Sequence, residues 1–211
     1  TSICSRDAVR AAALASDLGV GRSSGDFAAL LADPDVDAVY VATPNARHGD
    51  QVRACLEAGK HVLVEKPAVQ TASEWDALVA RASEQGLVLL ENMRTAHDPV
   101  MARIIELLGT LGAIRQVAFH FSQRSARYDE LLAGRPINIF DPALGGGALN
   151  DLGVYLTHPL GRMFSMPTRA AASMVRVSTG ADGAGAALLT YPGMVAQLSW
   201  SKMSAGRFGG S

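Results

Sequence analysis

The sequence is poor in cysteine and has no excess of charge of either sign. Its 211 residues include only two cysteines, Cys4 and Cys55, and their positions show neither metal-ligand nor redox spacing. The 19 basic and 20 acidic residues give a formal net charge of -1 and do not form runs, so the footprint of a nucleic-acid or anionic-membrane binder is absent. We therefore expect a reducing compartment and no nucleic-acid partner.

Long apolar runs are also absent. No stretch approaches the roughly 20 apolar residues that cross a bilayer, and Thr1–Cys4 does not begin a charged region followed by an apolar run. With 48% hydrophobic and 18% charged residues, the chain can nevertheless bury a sizeable core. We therefore expect a cytoplasmic globular protein of one large or two small domains, with no membrane partner.

The first 95 residues alternate short apolar runs with helical segments. The residues placed to cap helices are Asp7, Asn45 and Ser73, and the glycines placed to end them are Gly19, Gly59 and Gly86. The almost wholly apolar run Ala38–Ala42 predicts a strand buried on both faces. Because strands and helices alternate through short loops, the pattern predicts a doubly wound parallel sheet with right-handed crossovers.

After Pro99 the pattern changes to that of a sheet with one solvated face. Alternation over Val117–Ser122 predicts a strand, residues 125 to 146 read as loop, and residues 148 to 164 read as helix. Three further strands are predicted near residues 170–178, 185–190 and 194–201, with a hairpin turn at Tyr191–Met194. We place a domain boundary near residue 95.

The expected central strand and phosphate-binding turn are missing from the start of the sequence. A doubly wound nucleotide-binding sheet has a glycine-rich turn after its central first strand, whereas Thr1–Ser5 reads as a second strand. The glycine-rich stretch Ala205–Ser211 shows no strand or helix pattern. We therefore expect two incomplete domains: residues 1–95, lacking their N-terminal part, and residues 96–211, lacking their C-terminal part.

Polar residues follow two of the predicted parallel strands, where open α/β sheets bind ligands. Thr43–His48 comes directly after the first, and Glu65–Lys66–Pro67 closes the next. Pro67 holds Lys66 toward extended geometry and so restricts where its ammonium points. On spacing alone, a capped turn and a solvated strand end explain these residues better than a ligand site does.

Asp151 and Tyr155, four residues apart at the start of a predicted helix, place a carboxylate and a phenol on one face. Taken singly, each is explained as well by an acidic first-turn residue and a tyrosine covering the core. Pro159 deprives the carbonyl of Tyr155 of its helical donor and predicts a kink. The preceding Gly145–Gly147 lacks the strand, lysine and hydroxyl residue of a phosphate loop. Histidine spacing indicates no metal site.

Four ordered motifs, taken together, resemble the Gfo/Idh/MocA oxidoreductases. They are Ser5–Asp7, Leu31–Asn45, Ala58–Pro67, and Gly145–Leu149 with Asp151–Tyr155. The resemblance implies a Rossmann-type domain followed by an α+β domain with a large, mainly antiparallel sheet, assembled as a homodimer or a dimer of dimers. It also implies hydride transfer between NAD(P) and a sugar, a cyclic polyol or a trans-dihydrodiol.

The resemblance further assigns the site residues. Lys66 is expected to touch the substrate hydroxyl and the nicotinamide ribose. Tyr155 stands where many members have histidine, which resembles the glucose-fructose oxidoreductase, dihydrodiol dehydrogenase and D-xylose dehydrogenase subgroup. A free phenol has a pKa near 10 and becomes a usable base beside an ammonium, with Asp151 orienting the substrate or Lys66. The residues expected along the nicotinamide half are Thr43, Pro44, Asn45, His48 and Glu65.

The cofactor is expected to be NADP rather than NAD. Arg6, after Ser5 at the end of the second strand, takes the place of the acidic residue that binds the ribose 2′-hydroxyl of NAD, and a guanidinium suits a 2′-phosphate. Two other readings stay open. One is a non-catalytic, dinucleotide-binding regulatory protein of the same fold, against which Lys66, Asp151 and Tyr155 argue. The other is a cofactor-free structural fragment.

Overall fold

The computed structural model describes residues 1–205 and divides into two compact units. The first unit comprises residues 1–43 and 47–92, and the second comprises residues 44–46 and 93–205. Among residues 1–205, none of the helices is both long enough and apolar enough to cross a bilayer.

The first unit alternates strands and helices, as the sequence predicts. Its elements are β1 (Ile3–Cys4), α1 (Ala8–Asp17), β2 (Ser23–Ser24), α2 (Phe27–Ala32), β3 (Ala38–Val41), α3 (His48–Glu57), β4 (His61–Glu65), α4 (Ala72–Glu84) and β5 (Leu89–Asn92). All strand pairs are parallel: β1 pairs with β2 in one sheet, and β3, β4 and β5 form a second sheet in that order. The predicted parallel α/β architecture is confirmed.

Local capping chemistry sets most of the helix ends. Asp7 begins α1 by accepting the backbone N–H groups of Val9 and Arg10 at 3.0 and 3.1 Å. The expected cap at Ser73 is wrong: Thr71 begins α4, because its Oγ1 accepts the N–H of Glu74 at 3.3 Å. Asn45 does not cap α3 either, since it begins the short 3₁₀ turn Asn45–Arg47 that precedes this helix.

The prediction that β3 is buried on both faces is wrong. Val39 and Val41 are buried, whereas Tyr40 between them is 52% exposed, and Leu63 on β4 is exposed in the same alternation. The reason is that α3 packs against β3 and β4, and α4 packs against α3, so these helices cover one face of the sheet. An apolar run by itself does not show which faces neighbouring elements cover.

The second unit is built on a four-stranded mixed sheet. Its elements are α5 (Pro99–Leu107), β6 (Gln116–Ser122), α6 (Tyr128–Leu132), a π-helical turn (Leu149–Gly153), α7 (Val154–Phe164), β7 (Arg169–Arg176), β8 (Asp182–Tyr191) and β9 (Met194–Ser201). The strand order is β6-β9-β8-β7, with β6 and β9 parallel and the other pairs antiparallel. The mainly antiparallel sheet is confirmed, as is the hairpin turn, in which Gly193 has φ of 77°.

One face of this sheet carries the π-helical turn and α7. Leu152, Leu156 and Leu160 join Leu198 and Trp200 of β9 in one buried cluster. The segment expected to be loop between residues 125 and 146 contains α6 and two 3₁₀ turns. The sequence predicts one helix over residues 148 to 164 with a kink at Pro159. In the structure the irregularity comes earlier, because the first turn of this segment is π-helical.

Candidate active site

Three of the predicted site residues lie at the carboxyl ends of two neighbouring parallel strands. Val41 of β3 is in register with Val64 of β4, so Thr43 and the pair Glu65 and Lys66 lie at the carboxyl edge of this sheet. Thr43 is exposed, and its Oγ1 donates to Gln51 Oε1 at 2.6 Å. The Lys66–Pro67 peptide bond is cis. The edge therefore has the position and the polar groups of a ligand site in an open parallel sheet.

His48 lies beneath this edge with its side chain 0% exposed. Its Nε2 is 2.7 Å from the carbonyl oxygen of Thr43, and its Nδ1 is 2.9 Å from the carbonyl oxygen of Pro67. Both oxygens are acceptors, so a ring nitrogen that carries a proton donates to the carbonyl oxygen that it faces. A side chain this buried affects a ligand through the two backbone segments that it holds.

Glu65 is the centre of a hydrogen-bond network that the sequence did not predict. It accepts the hydroxyl of Tyr40, the Nδ2 of Asn92 at 2.8 Å, and the backbone N–H of Lys66 at 3.2 Å. Burial by itself would raise the pKa of Glu65, but these hydrogen bonds and the charge of Lys66 lower the pKa below its usual value. The same bond to Glu65 raises the pKa of Tyr40.

Ser5 and Arg6 follow β1, in the other sheet of the first unit. The N–H of Ser5 donates to the carbonyl oxygen of Ser24 at 3.1 Å, and Ser5 Oγ accepts the N–H of Asp7 at 3.3 Å. Arg6 is exposed, directly after the carboxyl end of the strand. An anion at this position would meet the guanidinium of Arg6 and the hydroxyl of Ser5. The backbone N–H groups of Val9 and Arg10, in the first turn of α1, already donate to the side chain of Asp7.

Asn45, with its neighbour Pro44, belongs to the second unit. The Nδ2 of Asn45 donates to the carbonyl oxygen of Gly145 at 2.9 Å, and the Nδ2 of Asn150 donates to the same oxygen at 3.0 Å. The amide nitrogen of Asn45 is thus engaged by the glycine-rich segment 145–147.

Asp151 lies within the π-helical turn Leu149–Gly153 and is partly exposed. Its Oδ2 accepts a hydrogen bond from the ammonium of Lys202, the residue that follows β9. The side chain of Lys202 is only 2% exposed, so this is an ion pair with a buried cation. Lys202 was not among the predicted site residues.

Tyr155 is the second residue of α7, and its half-buried ring lies 5.8 Å from the ring of Phe121, between centroids. The tyrosine borders a cavity of about 700 Å³ within the second unit, formed mainly by apolar side chains of α5, β6 and α7. His120 and Arg94 are among the polar residues that line it. The phenol therefore lies at the border of a space large enough for a small molecule.

The structure brings the predicted residues together in three groups. Thr43, His48, Glu65 and Lys66 share the carboxyl edge of the β3–β5 sheet, Ser5 and Arg6 follow β1, and Asp151 and Tyr155 belong to the second unit. Within residues 1–205, no cluster of three or more histidine, cysteine, aspartate or glutamate side chains could hold a metal ion.

Sequence reasoning missed the residues that support these groups. They are Tyr40 and Asn92 around Glu65, and Asp182 and Lys202 around the π-helical turn. The sequence carried no local signal for Lys202, because a lysine directly after a strand is an ordinary solvated position. Its partner lies 51 residues earlier in the chain, and no local pattern connects the two.

Two family models together match almost the whole chain. The model described as oxidoreductase family, NAD-binding Rossmann fold, matches residues 1–93, and the model of the GFO/IDH/MocA C-terminal domain matches residues 101–210. A parallel nucleotide-binding fold joined to a mixed α+β sheet defines the class, a two-domain oxidoreductase fold. Within that class, the chain belongs to the Gfo/Idh/MocA family.

Similar proteins include enzymes that act on polyols and sugars. The scyllo-inositol 2-dehydrogenase (NADP(+)) of Bacillus subtilis is 35% identical over 204 residues, which cover 97% of this chain and 62% of that protein. The D-xylose 1-dehydrogenase (NADP(+)) 2 of Haloferax volcanii is 37% identical over 169 residues, covering 80% of this chain and 50% of that protein.

A similar solved structure is that of a 3-ketoreductase from Actinomadura kijaniata in complex with NADP and TDP-benzene. It has a TM-score of 0.85 and 32% identity, and the match covers 97% of this chain and 62% of that one. The chain therefore spans at most about three fifths of the length of these relatives.

Proposed function

We propose that the protein is an NAD(P)-dependent oxidoreductase that transfers a hydride between nicotinamide and a CH–OH carbon of a sugar, a cyclic polyol or a trans-dihydrodiol. The observation that carries the proposal is that the sequence has all three of Lys66, Asp151 and Tyr155. They stand at the motif positions where the family resemblance implies an ammonium, a carboxylate and a proton acceptor, respectively. Residues 1–95 would serve as the dinucleotide-binding domain and residues 96–211 as the substrate-binding and dimerisation domain.

The residues at the end of β1 fit NADP. The exposed guanidinium of Arg6 supplies a positive charge, and the Ser5 hydroxyl supplies a second polar group, at the place where a parallel strand meets a helix N-terminus. An acidic side chain there would favour an unsubstituted ribose. The two NADP(+)-dependent relatives named above support the same choice. When bound, the cofactor supplies hydride transfer at the nicotinamide ring. NAD is the alternative cofactor.

Each of the three central residues has a distinct proposed role. Tyr155 takes the proton of the substrate hydroxyl as the hydride leaves the same carbon. Lys66 holds that hydroxyl through its ammonium. Asp151 orients the groups around the phenol. Thr43, Pro44, Asn45 and Glu65 would line the nicotinamide half, with His48 supporting the backbone beneath it.

The substrate class draws support from the relatives. Besides the inositol and xylose enzymes, a trans-1,2-dihydrobenzene-1,2-diol dehydrogenase of Sus scrofa is 33% identical over 198 residues, covering 92% of this chain and 57% of that protein. All three names describe oxidation of a hydroxyl-bearing carbon in a small polyhydroxylated compound. We propose a carbohydrate or polyol of this kind as the substrate.

We also propose a cytoplasmic homodimer or a dimer of dimers. All eight residues of β7, at the edge of the mixed sheet, are exposed among the described residues, and we propose a second copy as the partner of this strand. Light scattering of the full-length protein tests this. A mass of two or four chains is expected, and a single-chain mass at micromolar concentration contradicts it.

The deciding experiment follows the absorbance of reduced nicotinamide. Full-length protein is mixed with NADP or NAD and a panel of aldoses, inositols and cyclic diols, and Tyr155→Phe is assayed beside it. We expect turnover with at least one panel member and a loss in kcat of at least about 100-fold in Tyr155→Phe. The matched control is Tyr191→Phe, which changes a buried core tyrosine and should keep kcat within about twofold.

The alternative is a non-catalytic, dinucleotide-binding regulatory protein of the same fold. Binding of NADP by calorimetry without turnover of any panel member would favour this alternative and contradict the proposed activity. Turnover that Tyr155→Phe leaves unchanged would keep the activity but overturn the role of Tyr155.

A further inference from the structure

Lys202 is fixed in place by its backbone. Its N–H donates to the carbonyl oxygen of Gly183 at 2.8 Å, and its own carbonyl oxygen accepts the N–H of Ser125 at 2.8 Å. The residue therefore continues the sheet beyond the end of β9, and its side chain begins from a rigid support. That side chain is 2% exposed.

The ammonium of Lys202 contacts a carboxylate and an aromatic ring. It donates to Asp151 Oδ2 and lies 5.8 Å from the centroid of the Phe140 ring, within the range of a cation–π contact. A buried ammonium is strongly unfavourable unless it is paired. The pair with Asp151 therefore constrains both side chains, and the carboxylate is drawn toward the sheet.

The constraint on Asp151 reaches Tyr155 through the chain. Asp151 lies in the π-helical turn Leu149–Gly153, and Tyr155 follows that turn by two residues. The turn is also tied to the sheet at its first residue, because the N–H of Leu149 donates to Asp182 Oδ2 at 2.7 Å. Two contacts with the sheet thus set where the first turn of α7 begins, and with it the direction of the phenol.

We propose that Lys202 is a positioning residue for the proposed reaction: by pairing with Asp151 it holds the π-helical turn that presents Tyr155. The proposal rests on the proposed function for its kinetic consequences, although the effect on the position of Tyr155 does not depend on it. In this role Lys202 acts through Asp151 rather than through contact with substrate or cofactor. Asp151 accordingly acts as the link between a buried cation and the turn.

The test compares four variants of the full-length protein: Lys202→Met, Lys202→Arg, Asp151→Asn, and the double variant Lys202→Met/Asp151→Asn. The double variant removes both charges, so it leaves no buried ion without a partner and should fold even if a single variant is destabilised. The matched control is Lys60→Met, another buried lysine, whose Nζ donates to the carbonyl oxygen of Asp33 in the first unit.

Kinetics distinguish positioning from general stability. We expect Lys202→Met and Asp151→Asn each to lower kcat at least about tenfold, because small displacements of a catalytic group are costly, while KM for NADP stays within about twofold. The double variant should lose no more than the worse single variant, and Lys202→Arg should retain more activity than Lys202→Met. Unchanged kcat in Lys202→Met, or losses that multiply in the double variant, would overturn the proposal.

A spectroscopic measurement tests the position of Tyr155 without using activity. The protein is labelled with 3-fluorotyrosine, and the fluorine NMR signal of Tyr155 is identified by its disappearance in Tyr155→Phe. We expect this signal to shift in Lys202→Met and in Asp151→Asn but not in Lys60→Met. If the wild-type protein turns over no panel member, the proposed function fails, and this signal alone decides: a shift supports the positioning role, and an unmoved signal overturns it.

Discussion

The carboxylate of Asp182 accepts the backbone N–H of Leu149 at 2.7 Å, and so joins the start of β8 to the first residue of the π-helical turn. The same oxygen accepts the indole Nε1–H of Trp200 at 3.0 Å. One carboxylate therefore satisfies two donors that would otherwise be left unpaired in a mostly buried region.

Replacing Asp182 should destabilise the second unit. We expect Asp182→Ala to lower the free energy of unfolding by about 3 kcal/mol, since two donors lose a charged acceptor. Asp182→Asn keeps one acceptor oxygen and should cost about half as much. Urea unfolding followed by tryptophan fluorescence measures both values. Asp17→Ala, at an exposed position, is the control and should change stability by less than about 0.5 kcal/mol. Equal stability of Asp182→Ala and the control would contradict the role.

Gly147 allows this carboxylate to approach. Its φ is 140°, and a Cβ built on it would lie 2.2 Å from Asp182 Oδ1. We expect Gly147→Ala to cost about 3 kcal/mol, from an unfavourable backbone conformation and from overpacking together. Gly180→Ala is the matched control: its φ is 89°, but nothing lies within 4 Å of its Cβ, so only the backbone cost of about 1 kcal/mol remains. Similar losses in thermal unfolding for both variants would show that steric contact with Asp182 is unimportant.

The hydrogen bond from Tyr40 to Glu65 should make the effect of Tyr40→Phe depend on pH. The folded state lowers the pKa of Glu65 from 4.5. The stability that ionised Glu65 contributes is therefore fully present above pH 4.5, and it is lost as the pH falls through the lower pKa of the folded state. The folded state raises the pKa of Tyr40 from 10.0, so its contribution is full below that pH and is lost as the pH rises through the raised value.

Because Tyr40 is 52% exposed, we expect Tyr40→Phe to cost only about 1 kcal/mol between roughly pH 5 and pH 9, with a smaller cost outside this window. Urea unfolding at several pH values measures the difference from wild type. Tyr128→Phe serves as the control, with no such plateau expected. A cost that is the same at pH 3.5 and pH 7 would exclude Glu65 as the relevant partner.

Arg6 should determine the preference for NADP over NAD. Removing a guanidinium that pairs with a 2′-phosphate should raise KM for NADP about tenfold in Arg6→Ala, while KM for NAD stays within about twofold. Arg10→Ala, one turn later on α1, is the matched control and should alter neither KM by more than about twofold. Equal changes for the two cofactors would place the 2′-phosphate elsewhere.

Local signals in the sequence were sufficient for most elements of the fold. Asp7 caps α1 through its own next residues, and Gly193 turns the hairpin between β8 and β9, so each is readable within a few residues. The wrong prediction for β3 has a different cause. Whether Tyr40 is covered depends on which helices pack on the sheet, and that is decided by elements outside the strand.

The candidate site was predictable only where the chain itself carries the motif. Lys66, Asp151 and Tyr155 lie in segments whose local pattern resembles a known family. Asp182 and Lys202 support the π-helical turn from 33 and 51 residues away from their partners, and each looks like an ordinary charged residue in its own segment. Their roles come from three-dimensional pairing, which spacing along the sequence does not encode.

His48 connects the segment that follows β3 with the segment that follows β4. Because its two nitrogens contact the carbonyl oxygens of Thr43 and Pro67, neither segment can move outward without losing a polar contact with this buried ring. We therefore expect transient opening of one segment to involve the other. The edge that carries Lys66 stays assembled between such events.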